Sequence, residues 1–305
     1  MSRPKRHHYL PESYLNGFTA RGRFWVFDRE SRQFRPQTPK NTAVETDFYT
    51  VADEDGSKDT SLETALAPID GKAAEVIREL EGTDSVSAIQ IRVLALFVAL
   101  LRVRTPEFEE QQTQLQLATA AAAARAFAEG ASAILFGPRN PLPDQAPPKP
   151  YTPADLARFL DDLETDENML RNEARASIPR LALDLGKILG HMNWVFYVPA
   201  RDCHFMTCDN PFIIVGPTAE GPAGIATPGA RKVIPLSSTL LVSIHDEGNG
   251  YAWQRMSRRA VEGVNCMCAL NSDRFVISRK EYPLRKVVRA TNIDRFRRKR
   301  RVAVE

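Results

Sequence analysis

From about residue 60 to residue 191 the apolar residues recur mostly at helical spacing, whereas before and after that span they alternate or gather in short blocks. An amphipathic helix hides one stripe and a strand hides alternate residues, so the two periods name different elements. Here they are segregated along the chain instead of alternating. That order predicts an α+β fold over a doubly wound sheet. We expect the N- and C-terminal β-rich segments to form a mixed or antiparallel sheet system, packed against the helical middle region.

Punctuation along the chain refines the expectation. Pro11 opens a short helix that carries Tyr14, Leu15 and Phe18 on one face and stops near Gly17. Arg23 to Arg29 reads as an aromatic-rich strand and pairs through Glu30-Ser31-Arg32 with a second strand near Gln33-Phe34-Arg35. Asp47 to Val51 reads as a further short strand. Thr60 and Glu63 have capping-box spacing, and the stripe Leu62, Leu66, Ile69, Ala73, Ile77, Leu80 follows, with Pro68 and Gly71 as expected interruptions. Ser87 to Arg104 is apolar nearly all round and should be central. Glu107 to Glu129 is a third helix. Prolines crowd the stretch 137–153, which reads as an extended surface linker in a chain whose length suits one large domain or two small ones. A helix opened by Thr152-Pro153 continues to about His191, with a break near Pro179. Strands are expected at Asn193 to Val198, Cys203 to Thr207, Phe212 to Val215 and Arg274 to Ser278, with a further β-rich run at Lys232 to Ile244 interrupted by Pro235, and a helix at Arg258 to Leu270.

Charge and cysteine usage bound the function. A formal net charge of +3 is too small to imply a nucleic-acid partner by itself. The basic termini, Arg3, Lys5 and Arg6 and the tail at 296–305 with Arg297 to Arg301, are where phosphate contacts would be made. The start of the chain has no apolar signal region, and the longest apolar run, Val93 to Leu101, is far short of the roughly 20 residues that span a bilayer. No membrane partner and a cytoplasmic location are therefore expected, with Cys203, Cys208, Cys266 and Cys268 as free thiols.

The polar corner Thr207-Cys208-Asp209-Asn210-Pro211 lies between two apolar blocks and holds a carboxylate and an amide in a rigid turn. Together with His8-Tyr9-Leu10-Pro11, Leu15, Phe18, Asp47-Phe48-Tyr49, Glu63, Arg104-Thr105-Pro106, Pro235-Leu236-Ser237 and Asn271, it makes the chain resemble the bacterial DUF4238 family. The resemblance covers nearly the whole chain and implies one domain over residues 1–305, not two, but no reaction. Cys208 stands where the family usually has Ser, which argues against an indispensable serine nucleophile.

The polar members of these motifs are His8, Glu63, Arg104, Asp209 and Asn210. A histidine with carboxylates can hold a divalent cation or act as acid and base. In that pattern His8, Glu63 and Asp209 are candidate ligands for Mg²⁺ or Mn²⁺. Arg104 is a candidate phosphate clamp, and Asn210 can orient a substrate oxygen. The pattern fits a metal-dependent hydrolase of phosphodiesters, nuclease-like in chemistry. The alternative is a non-enzymatic interaction or regulatory protein in which Arg104 pairs with Glu63, Asp209 caps its own turn and His8 bonds backbone. Cys203-His204 with Cys208 lacks zinc-knuckle spacing, nothing in the sequence would acidify Cys208, and His7 is expected to be exposed. No phosphate-binding glycine loop is present. The aromatics of the Trp25 strand suit a core face better than base stacking.

Overall fold

The structure, a computed structural model, describes residues 6–46, 48, 51–52, 58–59, 61–128, 167–216, 224–246 and 250–293. The Thr60 cap, Asp47 and Tyr49, the 137–153 stretch, the helix start at Thr152, Arg3, Lys5 and the basic tail at 296–305 lie outside the described residues. The chain divides into two compact units, Met1–Glu107 with Ile178–Glu305, and Phe108–Ser177.

In the first unit, β1 (Arg6–His8) pairs antiparallel with β4 (Val44–Thr46), and α1 (Glu12–Asn16) follows it. β2 (Phe24–Asp28) and β3 (Gln33–Gln37) form the expected hairpin. β5 (Val51–Ala52) and β6 (Lys58–Asp59) make a small ribbon. The helices α2 (Ser61–Leu80) and α3 (Ala88–Val103) then pack on each other. After α4 (Pro106–Ala128) and α5 (Glu167–Gly190) come β7 (Asn193–Pro199), β8 (Thr207–Cys208), β9 (Ile213–Val215), β10 (Arg231–Pro235), β11 (Leu241–His245) and β12 (Tyr251–Met256). The chain ends its described part with α6 (Arg258–Asn271), β13 (Phe275–Ser278) and α7 (Glu281–Thr291).

The two β-rich ends do share a sheet. One four-stranded antiparallel sheet runs β3-β2-β13-β8, so the N-terminal hairpin is completed by the last strand of the chain. A second, mixed sheet runs β12-β7-β11-β10-β9, with β12 parallel to β7 and the other pairs antiparallel. Phe27, Met206, Val276, Leu284 and Val288 bury together between the first sheet and α6–α7, with Trp25 packed against them. Trp25 and Phe27 therefore face a core. Phe205, Ile213, Val233, Leu241 and Val264 form a neighbouring cluster.

α3 is central, as its composition predicts: Leu94, Phe97, Val98 and Leu101 are buried. Its start is a capping box in which Ser87 Oγ accepts from Gln90 N–H and Gln90 Oε1 accepts from Ser87 N–H. Pro68 and Pro179 do not break their helices. Both α2 and α5 run through them, because each proline lies on an exposed face where water can satisfy the freed carbonyl while Leu66 and Ile178 stay buried. The expected strand from Cys203 shrinks to Thr207–Cys208. Asn265 takes the place of a strand partner there: its Oδ1 accepts from Met206 N–H at 2.8 Å and its Nδ2 donates to the His204 carbonyl at 3.0 Å. β12 and α7 were not anticipated. In the second unit, Arg175 donates to both oxygens of Glu109, at 3.2 and 3.1 Å.

Candidate functional site

Alternation along β1 separates the two histidines. His7 is fully buried, contrary to the expectation from sequence, and its Nε2 lies 3.3 Å from Glu63 Oε2. His8, one residue on, is half-buried and turns to the other side. The Tyr9 N–H then donates to Ala43 O at 3.1 Å, fixing where the strand hands over to α1.

α2 supplies the facing wall. Glu63, Leu66, Ala67 and Asp70 are spaced i, i+3, i+4 and i+7, so they lie along one face. Arg104 closes the site from the C-terminal end of α3, where its own N–H donates to Leu100 O at 3.2 Å. His8, Glu12, Glu63, Asp70 and Arg104 thus line one cavity of about 290 Å³.

Arg104 is 1% exposed, yet its guanidinium is only partly used. Nη1 donates to both carboxylate oxygens of Asp70 at 3.0 Å, and the group sits 5.9 Å from the Phe97 ring centroid. Nε and Nη2 have no hydrogen-bond partner among the described residues. Those two donors form one edge of a planar fork that matches the spacing of two oxygens on a carboxylate or phosphate. Burying a guanidinium without satisfying its donors is costly, so a half-used fork in a cavity wall has the chemistry of an oxyanion receptor.

Asp209 and Asn210 do not line this cavity. Asp209 is buried at the end of β8, and its two oxygens accept from the N–H groups of Asp273 and Arg274 at 2.9 and 2.5 Å. Its own N–H donates to Phe275 O at 3.1 Å. The carboxylate therefore caps the turn into β13. Burial, reinforced by the nearby Asp273 carboxylate, pushes its pKa up to about 7 against the pull of those backbone donors. Asn210 donates through Nδ2 to Glu107, while its carbonyl accepts from Asn271 Nδ2 at 2.6 Å and from the Cys208 thiol at 3.0 Å. Burial holds the Cys208 thiol well above its ordinary pKa, so a thiolate nucleophile is disfavoured there.

The sequence motifs thus resolve into two places. His8, Glu63 and Arg104 meet; Asp209 and Asn210 belong to a separate buried corner. The three donors proposed for Mg²⁺ or Mn²⁺ are not gathered, and among the described residues no group of three or more His, Cys, Asp or Glu is placed to hold a metal ion. Arg104 pairs with Asp70 and not with Glu63. Sequence reasoning missed Asp70, whose signal was its position two turns after Glu63 on α2, and Glu107, which had none before the fold was known.

Among the described residues, no helix is long and apolar enough to cross a membrane. The family described as protein of unknown function (DUF4238) matches residues 6–282 of the chain. No curated protein and no solved structure matches it.

Proposed function

The chain belongs to the DUF4238 family, and from that premise we propose that the Arg104 cavity is a hydrolytic site for phosphodiesters. The observation that carries the reading is the unpartnered Nε–Nη2 edge of a buried arginine that lines a cavity with a half-buried histidine and a half-exposed carboxylate. Arg104 takes two non-bridging phosphoryl oxygens and stabilises the charge that grows on them as water attacks. His8 removes the proton from that water and returns it to the leaving alkoxide as the P–O ester bond breaks. Glu63, in contact with His7, orients the water. Asp70 holds the guanidinium through Nη1 so that its other edge stays turned to the substrate. No step is assigned to a metal, because the ligand set expected from sequence is not gathered among the described residues.

The cavity volume suits a small diester. Binding of nucleic acid through the basic termini is a separate proposal; apart from Arg6, those residues lie outside the described ones. A cytoplasmic location is supported by the four free cysteines.

A second reading is a non-enzymatic binding protein whose polar motif residues are structural. It is supported by the buried, hydrogen-bonded Asp209 corner. Hydrolysis of bis(p-nitrophenyl) phosphate separates the two. The hydrolytic reading expects turnover that falls by about 10²–10⁴ in His8→Ala, with the fold retained by circular dichroism. Turnover that is absent, or unchanged in His8→Ala, leaves the binding reading standing.

A further inference from the structure

The hydrolytic reading leaves open which diester enters, and the charges around the cavity narrow that choice. Its lining carries three carboxylates, Glu12, Glu63 and Asp70, against one guanidinium. Arg104 already shares its charge with Asp70, both of whose oxygens lie 3.0 Å from Nη1. Glu63 sits against His7. Glu12 is exposed at the start of α1 and makes no hydrogen bond or ion pair among the described residues. A bare anion entering to meet the unpartnered Nε–Nη2 edge would therefore approach the uncompensated Glu12 carboxylate, and a dianionic monoester would fare worse than a diester. A simple cation would leave the buried Arg104 donors without an acceptor. A ligand satisfies both halves when it carries one negative phosphodiester and, a few bonds away, one positive group.

Resting on the phosphodiester reading above, we infer that the cavity takes a zwitterionic phosphodiester of the phosphoethanolamine class, its phosphate on Arg104 and its primary ammonium on Glu12. An ammonium suits this position better than a quaternary amine, because a carboxylate accepts hydrogen bonds and no Phe, Tyr or Trp lines the cavity to cage a quaternary group. The same headgroup chemistry exists in the free diester and at a lipid surface.

The full chain is titrated calorimetrically at pH 7 and low salt with glycerophosphoethanolamine and with diethyl phosphate, which has the same phosphate charge and no amine. The zwitterion is expected to bind at least about tenfold more tightly. Glu12→Gln should shrink that gap to within about threefold, and Glu12→Lys should reverse it. Arg104→Lys should weaken both ligands by about tenfold or more. Equal binding of the two ligands, or a gap that survives Glu12→Lys, overturns the inference. Sedimentation with phosphatidylethanolamine vesicles distinguishes the source: binding that glycerophosphoethanolamine displaces assigns the headgroup in a membrane, and binding of the soluble ligand alone assigns the free diester. Ethanolamine release is read separately. A tenfold preference without release keeps the ligand class and sinks hydrolysis. Turnover of bis(p-nitrophenyl) phosphate without any preference does the reverse.

Discussion

The Asp209 corner and the Arg104 cavity are built from the same kinds of side chain, but they use them in opposite ways. At the corner both carboxylate oxygens of Asp209 and the carbonyl of Asn210 are taken up by backbone and side-chain donors within the same sheet edge. In the cavity a guanidinium of equal burial keeps two donors unspent. Polar residues that saturate one another hold a fold; polar residues positioned by one partner and left open on another edge can hold a ligand. The contrast also separates two kinds of loss, one read in stability and one in binding or turnover.

The largest loss of stability is expected at the corner. Asp209→Ala leaves the part-buried N–H groups of Asp273 and Arg274 without their acceptors and should cost about 2–3 kcal/mol, read as a lower midpoint in urea unfolding. The same residue gives a pH signature. Its folded pKa of about 7 lies above the ordinary carboxylate value of 3.8, so the folded state holds the proton more tightly than the unfolded chain. Stability from this group is complete below the ordinary value and is lost as pH rises through about 7. Unfolding curves at pH 5 and pH 8 should therefore differ more in the wild type than in Asp209→Asn. Equal curves would show that the two backbone donors outweigh burial.

Asn271→Ala tests the other half of the corner. Its amide donates to the Asn210 carbonyl at 2.6 Å and to Phe212 O at 3.4 Å, so its loss should cost about 1–2 kcal/mol. Turnover of a phosphodiester should be nearly unchanged. Arg104→Lys comes next. Lysine keeps the charge facing Asp70 but loses the fork, so we expect roughly 1 kcal/mol in stability and a much larger loss in anion binding. A corner variant that lost turnover in proportion to nothing in its stability would break the division between the two regions.

Most of this division was hidden in the sequence for a physical reason. Element type follows local period, so the helices around Leu94 and Val264 and the hairpin at Val26 could be read directly. The meeting of β2 with β13 was legible only as a consequence of segregated strands. Proline was misleading at Pro68 and Pro179, because its cost depends on whether the freed carbonyl faces water. β12 was missed because Tyr251 to Met256 lacks clean alternation at a sheet edge. Its Gln254 and Arg255 look outward to solvent. α7 did carry a signal, since Leu284, Val287 and Val288 bury at helical spacing. For the site, His8, Glu63 and Arg104 could be singled out by residue type. Which carboxylate would meet Arg104 depends on the packing of α2 on α3, and Asp209 looked equally catalytic until its backbone partners were visible.

The smallest stability effect is expected where the chemical effect is large, and it is the sharpest test of the comparison. Glu63 is 43% exposed on its side chain, and its contact with His7 is therefore screened by solvent. Glu63→Gln keeps the shape of the side chain and should change stability by less than about 0.5 kcal/mol. If Glu63 orients the attacking water, the same substitution removes a charge-assisted acceptor from the transition state and should lower kcat by about 10²-fold with little change in KM. A variant that melts with the wild type and turns over a hundredfold more slowly would place Glu63 among the working residues. A variant that melts several degrees lower with kcat intact would move it to the structural side, and the cavity would then share the logic of the Asp209 corner.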